Sequence, residues 1–344
     1  MGKDKKILIV GQGLAGTCLA WALWDRGIGF EIVAKGDGSG CSHVAAGMLT
    51  PVTGRGLSPA WRLKDFQPEA LWFYGAVEKV LGEGFYNPKP ILRIFRSEEE
   101  RAKFEERRDE LEEWVDDAPE ELGFGVAGAH GGVLWKGGGW MQTHRFLTRS
   151  KGSFREKGLY RQMEVTGGDL DRLLDHTVIL CEGAAGLGEG TFSYLPERRA
   201  KGEILTARIP GLREDCILSG SGGWIIPRGG GIFRAGAGYE WDDLTRYPTA
   251  AGREKVEGII SSLTSLTYEV FDHVAGVRPI VRRSQPVIGW HRERENVAIF
   301  NGLGSKGVLY APGAARRLAR HLCDNVAIEE DLDVAKLPDL AEAS

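Results

Sequence analysis

The chain has 344 residues, 42% hydrophobic and 27% charged, with a formal net charge of −4. That length carries two domains with a substantial buried core, and the mild acidity excludes a global basic field drawn to nucleic acid or anionic lipid. Cys18, Cys41, Cys181, Cys216 and Cys323 are too few and too scattered for a disulfide framework, and they form no C-x-x-C pair, which argues against structural zinc. The first apolar run is too short for a signal peptide's core or a membrane span, so a reducing cytoplasm is the expected location. The 49 glycines punctuate apparent strand ends instead of forming one low-complexity tract.

Lys6-Ile7-Leu8-Ile9-Val10 reads as a strand buried on both faces. The turn Gly11-Gln12-Gly13-Leu14-Ala15-Gly16 follows it. Then Ala15, Cys18, Leu19, Ala22 and Leu23 repeat at helical spacing along one apolar face, and Gly27 ends the helix. A second strand, Phe30-Glu31-Ile32-Val33-Ala34, comes at once. In this strand–turn–helix–strand setting each glycine has a task. Gly11 permits the tight turn, Gly13 lets the backbone approach a pyrophosphate, and Gly16 lets helix and strand pack closely. The helix N-terminus offers unpaired N–H groups and a positive dipole end to phosphates. The unit therefore predicts a dinucleotide site. The acid that usually ends the second strand and holds the adenosine ribose is missing. Lys35 and Asp37 stand there as candidate contacts, with solvated loop charges as the other reading.

The next stretch, Cys41-Ser42-His43-Val44-Ala45-Ala46-Gly47-Met48-Leu49-Thr50-Pro51, is a run of small residues that lets a main chain lie against a flat ring. Phe66 to Leu81 reads as a helix, and Ser97 to Trp114 as a charged one with a narrow apolar stripe at Phe104, Leu111, Trp114 and Val115. The small-residue run resembles the flavin-contacting segment of the D-amino-acid oxidase superfamily, which includes glycine oxidase and sarcosine oxidase. It also resembles the FAD domain of the bifunctional enzyme that finishes a modified wobble uridine in tRNA. Further segments resemble the same superfamily in order: Thr177 to Gly183, Arg199 to Leu205, Trp224 to Arg228 with Gly236-Ala237, the G-x-R-P run Gly276-Val277-Arg278-Pro279, and Asn301 to Pro312.

The resemblance implies an α/β fold of the glutathione-reductase-2/D-amino-acid-oxidase type. A discontinuous Rossmann-like FAD-binding domain (1–60, 140–190 and 285–344) would be roofed by a mixed-sheet substrate domain (61–139 and 191–284). The implied cofactor is FAD, and the implied contacts are Gly11, Gly13, Leu14, Ala15, Gly16, Lys35, Ser42, His43, Ala46, Gly47, Met48, Val165, Gly183, Gly304, Ser305, Lys306, Gly307 and Val308. The flavin would take hydride from the carbon beside an amine, with no metal needed, and the resulting imine would hydrolyse.

Arg278 is the implied carboxylate partner, since a guanidinium forms a planar, permanently charged fork. A structural arginine on loop carbonyls is its other reading. Trp224 stands where amino-acid oxidases of this group usually carry a tyrosine; indole N–H donates but cannot accept, so Trp224 is either a ligand contact or a pocket wall. Lys306 would stabilise the anionic reduced flavin. His43 is one position off the histidine that attaches FAD covalently in some relatives, which favours a non-covalent contact. Arg55 is a second candidate for an anionic substrate. The expected partner is a small amine or amino acid. A tRNA side chain and a non-catalytic flavoprotein are the alternatives, the first opposed by the acidity and by the shortness of Arg198-Arg199, Arg282-Arg283 and Arg316-Arg317.

Overall fold

The computed structural model describes residues 6–36, 38, 40–54, 56–116, 122–123, 125–127, 130–188, 190–220, 222–281 and 285–337. Asp37, Arg55 and Arg282-Arg283, all singled out in the sequence, lie outside these residues.

One sheet has six strands in the order Tyr160–Gln162, Phe30–Ala34, Lys6–Val10, His176–Leu180, Val297–Asn301, Val287–Trp290. All pairs are parallel except the last, where Val287–Trp290 runs antiparallel at the edge. Ile7 and Ile9 pack into one apolar cluster and Leu8 and Val10 into another, so both faces of the central strand are covered. That double burial is why the strand is apolar without alternation. The helix Leu14–Asp25 is buried along almost its whole length, from Leu14 to Leu23. Its sequence pattern predicts one apolar face. The wider burial arises because the helices Gly307–Asp324 and Thr143–Glu156 also pack against it, and Trp21 Nε1 donates to Ser150 Oγ at 2.9 Å.

A mixed sheet of eight strands runs in the order Glu269–Arg278, Ala200–Arg208, Ile232–Gly236, Trp224–Gly229, Ile217–Ser219, Ile91–Ile94, Gly132–Trp135, Val115–Asp116. Strand alternation divides its side chains between two layers. Leu205, Ile225 and Ala235 pack under the helix Ala250–Leu263, with Val256 and Ile260. Ile204, Trp224, Ile226 and Val274 point the other way, onto Ala46 and Met48. The roof thus meets the small-residue run directly.

The helix read from Phe66 begins at Leu63, after Arg62 in a left-handed conformation held by Asp65, Glu329 and Asp331. Drawn with the second unit on sequence, it buries Phe66, Ala70, Phe73, Tyr74 and Val77 in the cluster that covers the six-stranded sheet. The charged helix is Glu98–Leu111, capped by Ser97 Oγ accepting from Glu100 N at 3.3 Å. A tighter turn, Glu112–Trp114, completes it.

Candidate active site

The glycine turn ends the central strand where three later segments converge. Gly11 has φ +109°, and a Cβ there would overlap the Cys181 carbonyl; a Cβ on Gly16 would overlap the Gly11 oxygen. Only glycine permits this approach. Gly13 faces outward, with nothing but Ser42 near its Cβ position. Leu14 N–H donates to Ser42 Oγ at 3.2 Å, so the small-residue run caps the first helix. The start of the C-terminal helix is equally close, since a Cβ on Gly307 would lie 3.1 Å from Leu14 Cδ1. Ala15 is buried between these elements, and Val308 with it.

Residues 44–47 form a clamped segment. Arg234 donates to Val44 O at 2.7 Å and to Ala45 O at 3.2 Å, Thr143 Oγ1 donates to Ala45 O at 3.1 Å, and Arg228 donates to Ala46 O at 3.0 Å. Met141 N–H donates to Gly47 O at 2.9 Å. Gly47 has φ +76°, and a Cβ there would overlap the Met141 oxygen. Each carbonyl from Val44 to Gly47 therefore has its own donor. Among the described residues neither Arg228 nor Arg234 has a carboxylate at ion-pair distance, and Arg228 Nε is buried without a hydrogen-bond partner. Burial, then the like charge of Arg234, pushes the Arg228 guanidinium down to about 9. It lies 3.7 Å from the Trp140 ring centroid, a stacking contact that offsets part of that cost.

Arg278 lies on the roof face that meets residues 41–44. A Cβ on Gly202 would strike its guanidinium, so that glycine makes the room. Arg278 Nη1 donates to Gly238 O at 3.1 Å, and Tyr239 covers the group at 4.4 Å. Burial holds the guanidinium below its ordinary value. No described carboxylate pairs with it at ion-pair distance. Next to it, Pro279 O accepts from Gly304 N–H at 2.8 Å, which joins the arginine to the loop carrying Ser305 and Lys306. Trp224 is on the same roof face, half-buried among Ala46, Met48 and Ile204. Its environment is that of a wall. Lys306 reaches Thr53 Oγ1 at 3.2 Å, and burial lowers its ammonium below the ordinary value. His43 sits in the short helix Cys41–Val44 with its ring edge-on to His144 at 5.7 Å.

At the other end of the turn, Lys35 is exposed and pairs with Glu164 at 2.6 Å. Val165 packs half-buried beside Val10 and Val33. Gly183 has φ +58° with open space at its Cβ position. Asn301 Nδ2 donates to Gly183 O at 2.9 Å and Asn301 Oδ1 accepts from Gly302 N–H at 2.9 Å, tying this turn to the C-terminal loop. Sequence reasoning missed Arg234, Thr143, Asn301, Glu182 and the clamping role of Arg228. For Arg228 a signal was present: it lies four residues after Trp224, hence on the same strand face.

The residues fit the cofactor that the resemblance implies. Gly13 and Gly183 leave an open cradle beside a helix N-terminus, suited to phosphates. The clamped run, fixed by a donor on each carbonyl from Val44 to Gly47, suits a flat heteroatom-rich ring. Arg278 and Lys306 add half-buried positive charge on two segments joined by the Gly304–Pro279 hydrogen bond. Among the described residues no group of His, Cys, Asp or Glu could hold a metal ion, and no helix is long and apolar enough to cross a membrane.

Comparison with known proteins agrees. The profile of the family DAO, described as FAD dependent oxidoreductase, matches residues 6–321. The bifunctional protein ThiO/ThiG of Trichormus variabilis is 24% identical over 92% of this chain, and the chain spans about half the length of that curated relative, 52%. Glycine oxidase from Geobacillus kaustophilus superposes with a TM-score of 0.76 at 20% identity, covering 94% of this chain and 95% of that one. Iminodiacetate oxidase from Chelativorans sp. gives 0.71 at 17% identity, covering 94% and 97%.

Proposed function

Because this chain belongs to the DAO family of FAD-dependent oxidoreductases, we propose that it binds FAD and oxidises the C–N bond of a small amino acid or N-substituted glycine. The observation that carries the reading is Arg278: a half-buried guanidinium with no described carboxylate partner, beside the loop that holds Lys306. A half-buried charge of this kind costs free energy until an anion meets it, and a substrate carboxylate supplies one in a planar, two-toothed form. The similar fold of proteins named glycine oxidase and iminodiacetate oxidase supports a carboxylated amine.

The glycine turn and the run 42–48 would hold the FAD, whose bound flavin would supply the hydride acceptor for the carbon beside the substrate nitrogen. The chain's own residues do the rest. Arg278 fixes the carboxylate and so presents the neighbouring carbon in one pose. Trp224 forms an apolar wall that narrows the pocket and excludes water. Lys306 supplies positive charge that favours electron transfer onto the cofactor. The nitrogen gives up its proton, the C=N product leaves, and water converts it to a carbonyl compound and an amine.

The two-unit division belongs to the same proposal, with Leu63–Leu81 joined to the first unit. The test is anaerobic mixing of the FAD-loaded protein with glycine, sarcosine, iminodiacetate, proline and D-alanine. Bleaching of the yellow colour by at least one of them is expected. A protein that takes up FAD but is bleached by none contradicts the substrate class, and a colourless protein contradicts the cofactor.

A further inference from the structure

The second strand lacks the acid that would hold an adenosine ribose, and Lys35 occupies its place. The neighbouring strand on the other side of the turn carries a carboxylate instead. Glu182 follows His176–Leu180, whose Leu180 pairs with Val10. A Cβ on Gly11 would lie 3.4 Å from the Glu182 nitrogen, so this residue adjoins the first glycine of the turn. Across the turn, Gly11 N–H donates to Val33 O at 2.8 Å, two residues before Lys35. Glu182 and Lys35 thus flank the same edge.

We propose, on the reading that this chain binds FAD, that Glu182 accepts hydrogen bonds from the adenosine ribose hydroxyls in place of the missing acid. The carboxylate lies over the turn Gly183–Gly186: a Cβ on Gly186 would meet Glu182 Oε2 at 3.0 Å. Next to it, Gly183 leaves open space. Among the described residues no donor bonds Glu182 and no cation pairs with it at ion-pair distance. Burial raises its pKa, and only the charge of Lys35 opposes that. An ionised carboxylate is purely an acceptor, and this one is half-buried without donors. Two vicinal hydroxyls are the donors that FAD brings to this end of a Rossmann turn. The competing carboxylate, Glu164, is exposed and already taken by Lys35.

The test measures FAD dissociation constants on the cofactor-stripped protein by quenching of flavin fluorescence. Two ligands are compared: FAD, and an FAD analogue built on 2′,3′-dideoxyadenosine. The native protein should hold the analogue about tenfold more weakly than FAD. Glu182→Ala should lose about tenfold for FAD and bind the two ligands equally. Glu182→Gln, close in shape to the native side chain, should show a shrunken preference for FAD and guards against a variant that fails to fold. An unchanged FAD constant in Glu182→Ala, or equal losses for both ligands, overturns the assignment while leaving FAD binding intact. Failure of the native protein to bind FAD overturns both.

Discussion

Arg228→Met separates stability from cofactor binding. The native guanidinium is pushed down from its ordinary value to about 9, equivalent to a penalty of about 5 kcal/mol on the buried charge. Against that stand its bond to Ala46 O at 3.0 Å, ~1.5–3 kcal/mol for a charged donor, and its stack on Trp140, ~2 kcal/mol when desolvated. The two sides nearly cancel. Replacing the cation by an apolar side chain of similar length should therefore change the stability of the FAD-free protein by less than ~2 kcal/mol in either direction. Cofactor affinity should behave differently. Ala46 O loses its donor, the segment 44–47 loses one of its clamps, and the FAD dissociation constant should rise about tenfold. Urea unfolding of the FAD-free variant and a fluorescence titration with FAD measure the two effects. A loss of 3 kcal/mol or more in stability with unchanged FAD affinity would refute the reasoning, for Arg228 would then be a structural strut.

Gly47→Ala must place a Cβ against the Met141 carbonyl in a left-handed backbone, and should lower stability by ~2–4 kcal/mol in a urea titration. Ser42→Ala leaves Leu14 N–H without its acceptor and should cost ~1 kcal/mol in the FAD-free protein by the same measurement. Glu182 has a raised pKa in the folded FAD-free protein. Its contribution is present below the ordinary value of 4.5 and is lost as the pH rises through the folded value. Glu182→Gln should accordingly gain stability relative to the native chain as the pH climbs above 4.5, and match it in more acid solution. A parallel pH dependence of the two proteins would contradict this sign.

Local spacing made the nucleotide unit legible: Lys6 to Ala34 states its strand, turn, helix and strand within a short window, and the glycine roles follow from sterics. The small-residue run stood out in the sequence because so many neighbouring side chains are short. What holds that run did not. Arg228 and Arg234 reach Val44, Ala45 and Ala46 across more than 180 positions of the chain, and no period in the sequence reports such a pairing. Alternation from Trp224 along its strand puts Arg228 on the tryptophan's face but does not name the carbonyl it meets. The packing of Leu63–Leu81 against the C-terminal helix escaped for a similar reason: an apolar stripe states that a partner exists, not which one. At the adenosine end, the missing acid was visible as a gap after Ala34. Its neighbour Glu182 entered only once strand order brought two distant segments side by side.

The central claim is that Arg278 selects a carboxylated amine for oxidation at a bound flavin. The rate of anaerobic flavin reduction by sarcosine, compared with sarcosine amide, tests it most directly in the native protein and in Arg278→Met. The native protein should be reduced at least a hundredfold faster, at equal concentration, by the acid than by the amide, and Arg278→Met should lose that preference while keeping its FAD. Equal reduction by acid and amide in the native protein, or a preference that survives in Arg278→Met, would contradict the account.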